Sequence, residues 1–390
     1  MGVFGMDDPE KETNKPWSLK LPLWMVLALL VYVLLLGVSL VGAGFKWVSG
    51  GAEGAAAIFG FANHPLAGVI LGVLATALVQ SSSTVTSVIV GLVAGGVPVS
   101  IAIPMIMGAN MGTTITNTIV SLGAIGNDLS FKRSFQAATV HDFFNLYCIF
   151  IFLPIEILFH PLERIAGIVS IYLSGSTDSS ISGFNLIGGA IKPPSEAILE
   201  MLAIFSDGIG GSITILLGIA LIIYSVIYLG KVLRSAMTGK AKELVENAVG
   251  KRQEIGVLSG GLVTILVQSS STTTSLVVPL AGAGVLTLRQ IFPFTMGANI
   301  GTTVTALLAA TSLGGELQVL ALQIALVHLF YNLFGVLMFL YIPVLTRMPI
   351  KSATWLGELA GSNRLWAFGY LFALFFLLPG SVFLGQMLFK

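Results

Sequence analysis

The chain contains the same polar stretch, VQSSST, twice within apolar sequence, once with its glutamine at Gln80 and once at Gln268. Glutamine and serine oxygens can coordinate a small cation such as Na⁺, and serine hydroxyls can donate to an anion. Serine and threonine also cap the N–H groups at a helix start, where an anion is favoured. The stretch therefore predicts a site for an oxyanion together with small cations. The alternative is that small polar residues only let helices pack closely.

Neither copy contains an arginine or a lysine. If the bound anion is phosphate, helix dipoles and co-bound cations must balance its charge, because no cationic side chain lies in the motif. This requirement gives a physical reason for sodium coupling.

A second duplicated motif reads GANMGTT at residues 108–114 and GANIGTT at residues 297–303. Its glycines weaken a helix, and its asparagine offers an amide beside threonine hydroxyls. The alternative is that the glycines pack closely and the hydroxyls bond to their own helix. The candidate cation ligands are Asn110, Thr113, Thr116, Asn299, Thr302 and Thr305.

The two copies of a third motif differ at one position, since HDFFN contains Asp142 where HLFYN contains Leu329. An ionisable residue inside a membrane segment is costly and commonly serves an ion. We therefore predict a cation site at Asp142 that the second copy lacks; the alternative is an aspartate near the membrane surface. For His141 and His328 we predict helix contacts, because no second ligand recurs at metal spacing.

The elements that must position these residues are membrane helices. Of 390 residues, 55% are hydrophobic and 9% are charged, and the mean hydropathy is +0.94. Apolar runs at 21–45, 213–229, 317–344 and 367–388 are typical of spanning α-helices rather than β-barrel strands. A net charge of +1 indicates no nucleic-acid partner. The fold class is therefore an all-α integral membrane protein, with the lipid bilayer as its surroundings.

The apolar arms around each VQSSST stretch are too short to span a bilayer. They cover residues 66–79 and 85–93 in the first copy, and 255–267 and 276–285 in the second. A helix can break inside a membrane only where protein or a wet cavity supplies partners for its backbone. Each unit is therefore predicted to be a broken or re-entrant helical hairpin with the motif at the break.

The chain is an internal duplication. The repeat offset is 188 residues from Gln80 to Gln268, 189 from Pro104 to Pro293 and 187 from His141 to His328. We predict a first transmembrane repeat at 21–173, an extracellular linker at 174–200 and a second transmembrane repeat at 201–388.

Lysine and arginine predict the orientation of the two repeats. Basic residues in the tail at 1–20, at 132–133 and at 231–252 belong in the cytoplasm, and their repeat counterparts carry little positive charge. The repeats are therefore predicted to be inverted, a plan of secondary transporters whose substrate site lies where the halves meet. The expected location is the cell (inner) membrane, with several passes and a cytoplasmic N-terminus.

The segments VQSSSTVTSVIV, AIPMIMGANMGTTITNTIVSLG and FKRSFQAATVHDFFN resemble the type II sodium-phosphate cotransporter family. The resemblance extends over both halves, between about residues 66 and 346. It implies inward cotransport of inorganic phosphate with Na⁺ by alternating access. It also implies no cofactor beyond Na⁺ as the coupling ion, and no protein partner is expected.

The resemblance also implies site residues. Phosphate would be held by Ser81, Ser82, Ser83, Ser269, Ser270, Ser271 and Thr113. One sodium site would consist of Gln268, Ser269, Thr302 and Thr305, while Asp142 and Asn145 match further sodium ligands. With Gln80, Asn110 and Asn299 from the motif reasoning, these complete the predicted sodium ligands. Because electroneutral members lack the aspartate, Asp142 implies electrogenic transport.

Three alternatives to phosphate symport stay open from the sequence. Another tetrahedral oxyanion, sulfate or arsenate, could be the substrate. An intramembrane hydrolase could use a motif serine with His141 and Asp142, but one nucleophile needs one base, and duplicated serine triplets fit a two-half binding site better. We therefore do not expect an enzyme. A channel would not need an inverted two-half plan.

Overall fold

The computed structural model describes residues 22–174, 182–236, 252–313 and 316–388. Every regular element in these stretches is helical. Seven of the described helical segments are long and apolar enough to cross a membrane. The all-α membrane class predicted from composition is therefore confirmed. The predicted tail at 1–20 lies outside the described residues.

The first repeat begins with a long apolar helix, and its longest helix, the penultimate one, carries Asp142. Its helices are α1 Leu23–Ser49, α2 Ala52–Ile58, α3 Pro65–Val79, α4 Ser82–Ala94, α5 Val99–Gly112, α6 Ile115–Ser121, α7 Asp128–Phe159 and α8 Pro161–Ser174. Short 3₁₀ turns occupy Gly60–Asn63 and Leu122–Ala124.

The second repeat has a similar order. Its helices are α10 Asp207–Ala236, α11 Gln253–Val267, α12 Ser270–Gly282, α13 Leu288–Ala310, α14 Glu316–Tyr341, α15 Pro343–Ser362, α16 Leu365–Phe372 and α17 Leu378–Leu388. A π-helical turn, Ala373–Leu377, joins the last two.

The segment predicted as a linker, 174–200, is largely helical in its described part. Helix α9, Ser182–Leu202, occupies most of it. The hydroxyl of Ser39 on α1 donates to Ser195 at 3.2 Å, and Tyr32 donates to the carbonyl of Ala190 at 3.3 Å. Contacts with α1 thus support this helix, and local composition cannot reveal such tertiary support.

Glycines let the helix pairs around the two motifs approach closely. A Cβ atom added at Gly108 on α5 would clash with the carbonyl oxygen of Val69 on α3. The same holds in the second repeat, where a Cβ at Gly297 would clash with the carbonyl oxygen of Val257. The first glycine of each GAN motif is therefore a packing contact between helices, as small residues commonly are in membranes.

Candidate anion and cation site

Each VQSSST stretch ends one helix and starts the next. Gln80 and Gln268 adopt the left-handed conformation, with φ of 57° and 54°. The extended serine that follows each glutamine caps the next helix: Ser81 accepts from the backbone N–H of Thr84 at 3.2 Å, and Ser269 accepts from that of Thr272 at 3.1 Å. The two breaks therefore have the same local structure, as expected of a duplicated sequence.

The glutamine side chains compensate for this backbone conformation, which is sparsely populated for residues other than glycine. The Gln80 amide donates to the carbonyl of Ala77, and its oxygen accepts from the Thr116 hydroxyl at 2.7 Å. The Gln268 amide likewise donates to a carbonyl one turn earlier, and its oxygen accepts from Thr305 at 2.9 Å. Each break is thereby tied to the GAN-containing segment of its own repeat.

The two breaks meet inside the protein. The hydroxyl oxygens of Ser82 and Ser270 lie 3.5 Å apart, and both residues are only 3% exposed. Each serine is the first residue of its helix, so the N-termini of α4 and α12 come together. The first N–H groups of a helix have no intrahelical acceptor and carry the positive end of its dipole. This junction can therefore receive an anion without a cationic side chain.

Four of the other predicted phosphate residues, Ser81, Ser83, Ser269 and Ser271, adjoin the facing pair in sequence. Ser83 and Ser271, which follow Ser82 and Ser270 in the sequence, are also buried. Ser81 and Ser269 already act as caps, although each hydroxyl keeps a proton to donate. The hydroxyl of Thr113 donates to the carbonyl of Ala109 at 3.1 Å within its own segment.

Four asparagines and two histidines join the halves. His141 contacts the amide oxygen of Asn299 at 2.8 Å, and the Asn299 amide donates to Asn145 at 2.7 Å. The equivalent residues with the repeats exchanged make the same contacts: His328 contacts the amide oxygen of Asn110 at 3.0 Å, and the Asn110 amide donates to Asn332 at 2.9 Å. The predicted helix contacts of both histidines are confirmed.

These bonds give the GAN asparagines a role that the sequence did not indicate. Asn110 and Asn299 each bond to a histidine and an asparagine of the other repeat, so both amide groups have protein partners. Among the threonines, the Thr302 hydroxyl donates to the carbonyl of Ala298 at 3.1 Å, which is the self-bonded arrangement foreseen as the alternative. Thr116 and Thr305 instead reach the motif glutamines.

Asp142 lies in the protein interior, at 0% exposure. One carboxylate oxygen accepts from Thr118 at 3.3 Å and from the Tyr370 hydroxyl at 2.9 Å. The other oxygen has no hydrogen-bond partner, and no lysine or arginine pairs with Asp142 among the described residues. In its ionised form a buried carboxylate needs a counter-charge, and an oxygen without a partner is free to coordinate a small cation.

Sequence reasoning missed three polar residues near these groups. Tyr370 comes from α16, and no local pattern links it to Asp142. Thr118 follows the GAN motif by one helical turn. Asn117 accepts from the hydroxyls of Thr274 and Ser275 at 2.9 and 3.1 Å, which ties the first repeat to α12. Its repeat counterpart is alanine, and this asymmetry was the available signal.

The apolar spans and the buried polar junction define a multi-pass helical membrane protein. Comparison with known proteins identifies the family within this class. The chain belongs to the Na+/Pi-cotransporter family, whose model matches residues 33–173 and 221–353.

Several curated relatives are named as transport proteins. Sodium-dependent phosphate transport protein 2B of Homo sapiens is 32% identical over 410 residues, covering 82% of this chain and 59% of the relative. Protein 2A of Rattus norvegicus is 34% identical over 387 residues, covering 82% and 61%. The chain thus spans about three fifths of the length of these relatives. Their names describe transport proteins rather than enzymes, which agrees with the prediction from the sequence that an enzyme is not expected. No solved structure matches the chain.

Proposed function

We propose that this protein is a sodium-coupled symporter that imports inorganic phosphate by alternating access. The observation that carries the proposal is the meeting of the two breaks, with the Ser82 and Ser270 hydroxyls 3.5 Å apart. Two helix N-termini and several serine hydroxyls converge there, and such groups bind an oxyanion. Family membership and the names of the relatives support phosphate as that oxyanion.

Sodium supplies the charge that the junction lacks. In the proposed mechanism, Na⁺ binds beside the second break to Gln268, Ser269, Thr302 and Thr305. The bond from Thr305 to the Gln268 oxygen supports this assignment, since two of the four proposed ligands are already adjacent. Bound Na⁺ next to the anion lowers the cost of burying phosphate, so each substrate favours binding of the other.

Asp142 makes the cycle electrogenic in this proposal. Its carboxylate is buried, has one oxygen without a partner and has no counterpart at Leu329. An additional Na⁺ bound there would carry one more positive charge inward on each cycle. Asn145, three residues further along α7, is proposed as a second contributor on the strength of the family resemblance.

The proposed topology is an inverted repeat with two re-entrant hairpins in the cell (inner) membrane. The hairpins are α3 with α4 and α11 with α12, whose lengths of 13 to 15 residues are short for a span. The basic loops favour a cytoplasmic N-terminus. The crossed histidine and asparagine bonds relate the halves pairwise, in keeping with pseudo-two-fold symmetry.

The test is uptake of radiolabelled phosphate into proteoliposomes, with an inward Na⁺ gradient against a matched K⁺ control. Sodium-dependent accumulation above the external concentration supports symport and excludes a channel. Its absence, in protein shown to be folded and inserted, would refute the proposal. Competition by unlabelled sulfate and arsenate separates phosphate from the other tetrahedral anions.

A further inference from the structure

A cationic cleft opens beside the second repeat, away from both VQSSST stretches. Its volume is about 480 Å³, and it lies between the starts of α11 and α13, the end of α14, and α15. Three cations line it: Arg289, Arg347 and Lys351. Its remaining wall is largely apolar and includes Phe292 and Leu340. A cleft lined by both cations and apolar side chains fits an amphiphile with an anionic head.

The three cations have no partner within the described stretches of the chain. None of them makes an ion pair or a side-chain hydrogen bond there, and no described acidic side chain lines the cleft. By contrast, Lys132 pairs with Glu358 and Arg364 pairs with Asp128. Three neighbouring unpaired cations repel one another, so an anion between them would be stabilising.

The equivalent cleft of the first repeat carries the opposite charge. It has a volume of about 290 Å³ and is lined by Glu156, His160 and Glu163. The repeat offset of 189 residues relates Pro104 there to Pro293 here, and the offset of 187 relates His160 to Arg347. The same helix packing therefore forms both clefts, while their charged residues differ. The shared helix packing therefore does not explain why the second cleft carries cations.

The cationic cleft lies at the depth in the membrane where lipid headgroups are expected. Arg289 is the second residue of the apolar span Leu288–Ala310, and Leu340 is the penultimate residue of the span Leu317–Tyr341. The cleft therefore lies at one end of two spanning segments, where headgroups begin. On the orientation proposed above, this end faces the cytoplasm, whose leaflet is rich in anionic lipids.

We propose that this cleft binds the phosphate-bearing headgroup of an anionic phospholipid, with an acyl chain along the Phe292 and Leu340 wall. The site lies outside the transport junction and is not required by the proposed phosphate symport. The same cations would also attract free inorganic phosphate, so the experiment must separate the two sources.

The experiment is native mass spectrometry of the full chain in detergent, titrated with phosphatidylglycerol or with phosphatidylcholine. The wild type is expected to bind phosphatidylglycerol more tightly than phosphatidylcholine. Arg347→Gln and Lys351→Gln should each weaken phosphatidylglycerol binding about fivefold, the effect of one cation near a membrane surface. Since both side chains are unpaired, these variants should fold normally, and Arg347→Lys should restore binding.

Two controls remove charge outside the cleft. Lys231→Gln removes an exposed cation on α10, and Glu163→Gln changes the acidic cleft of the first repeat; both should bind phosphatidylglycerol like the wild type. Equal binding of the two lipids, or undiminished binding by both Arg347→Gln and Lys351→Gln, would overturn the proposal. Displacement of phosphatidylglycerol by millimolar inorganic phosphate would also overturn it and assign the cleft to free phosphate.

Discussion

Replacing Asp142 with asparagine isolates the proposed charge-carrying step. Asparagine has nearly the same shape, and its amide oxygen can still accept from Thr118 and Tyr370. Its amide nitrogen would replace the carboxylate oxygen that has no partner among the described residues. The substitution therefore removes a charge and a cation ligand while leaving the observed hydrogen bonds in place.

The size of the effect follows from the membrane potential. Moving one elementary charge across 100 mV is worth about 2.3 kcal/mol. Because about 1.4 kcal/mol is a factor of ten, one net positive charge per cycle raises the limiting accumulation ratio roughly 50-fold at 100 mV, inside negative. If Asp142 brings in that charge, Asp142→Asn should accumulate phosphate to the same ratio at 0 and 100 mV.

The assay is radiolabelled phosphate uptake into proteoliposomes at both potentials, set with K⁺ gradients and valinomycin under one Na⁺ gradient. The matched control is Glu156→Gln, which removes another buried carboxylate from α7; that group is 5% exposed and accepts the backbone N–H groups of Leu162 and Glu163. The control should keep the voltage dependence of the wild type. Full voltage dependence in Asp142→Asn, or none in the wild type, would refute the reasoning.

Three further predictions concern the junction and its packing. Ser82→Ala and Ser270→Ala should each raise the KM for phosphate about tenfold to a hundredfold, the value of a hydrogen bond to a charged group, and an unchanged KM in uptake assays would contradict a phosphate site there. Asn110→Ala removes the amide group that bonds a buried histidine and a buried asparagine of the second repeat, so the free energy of unfolding in mixed micelles should fall by about 2–6 kcal/mol. No change in that free energy would argue against the histidine and asparagine bonds between the repeats. Gly108→Ala should sharply reduce the yield of monodisperse protein in gel filtration because its Cβ would meet a backbone carbonyl, whereas Gly123→Ala, which has open space, should not; equal yields would contradict the close packing of α3 and α5.

The sequence by itself determined the class of the protein and the places where its helices break. Apolar runs of spanning length follow from the cost of exposing backbone groups to lipid, a local requirement that composition reveals. The break at each VQSSST stretch was also predictable, since glutamine, serine and threonine supply caps from their own neighbourhood. The duplication then predicted that both breaks would have the same form.

Only the tertiary structure decided which of these residues meet. The 3.5 Å approach of Ser82 to Ser270 joins residues 188 positions apart, and Tyr370 reaches Asp142 across 228 positions. Asn110 and Asn299 looked like free ligands in the sequence, yet each bonds to the other repeat. A side chain's partners depend on how distant helices pack, and packing depends on glycine contacts and shape that no local pattern contains.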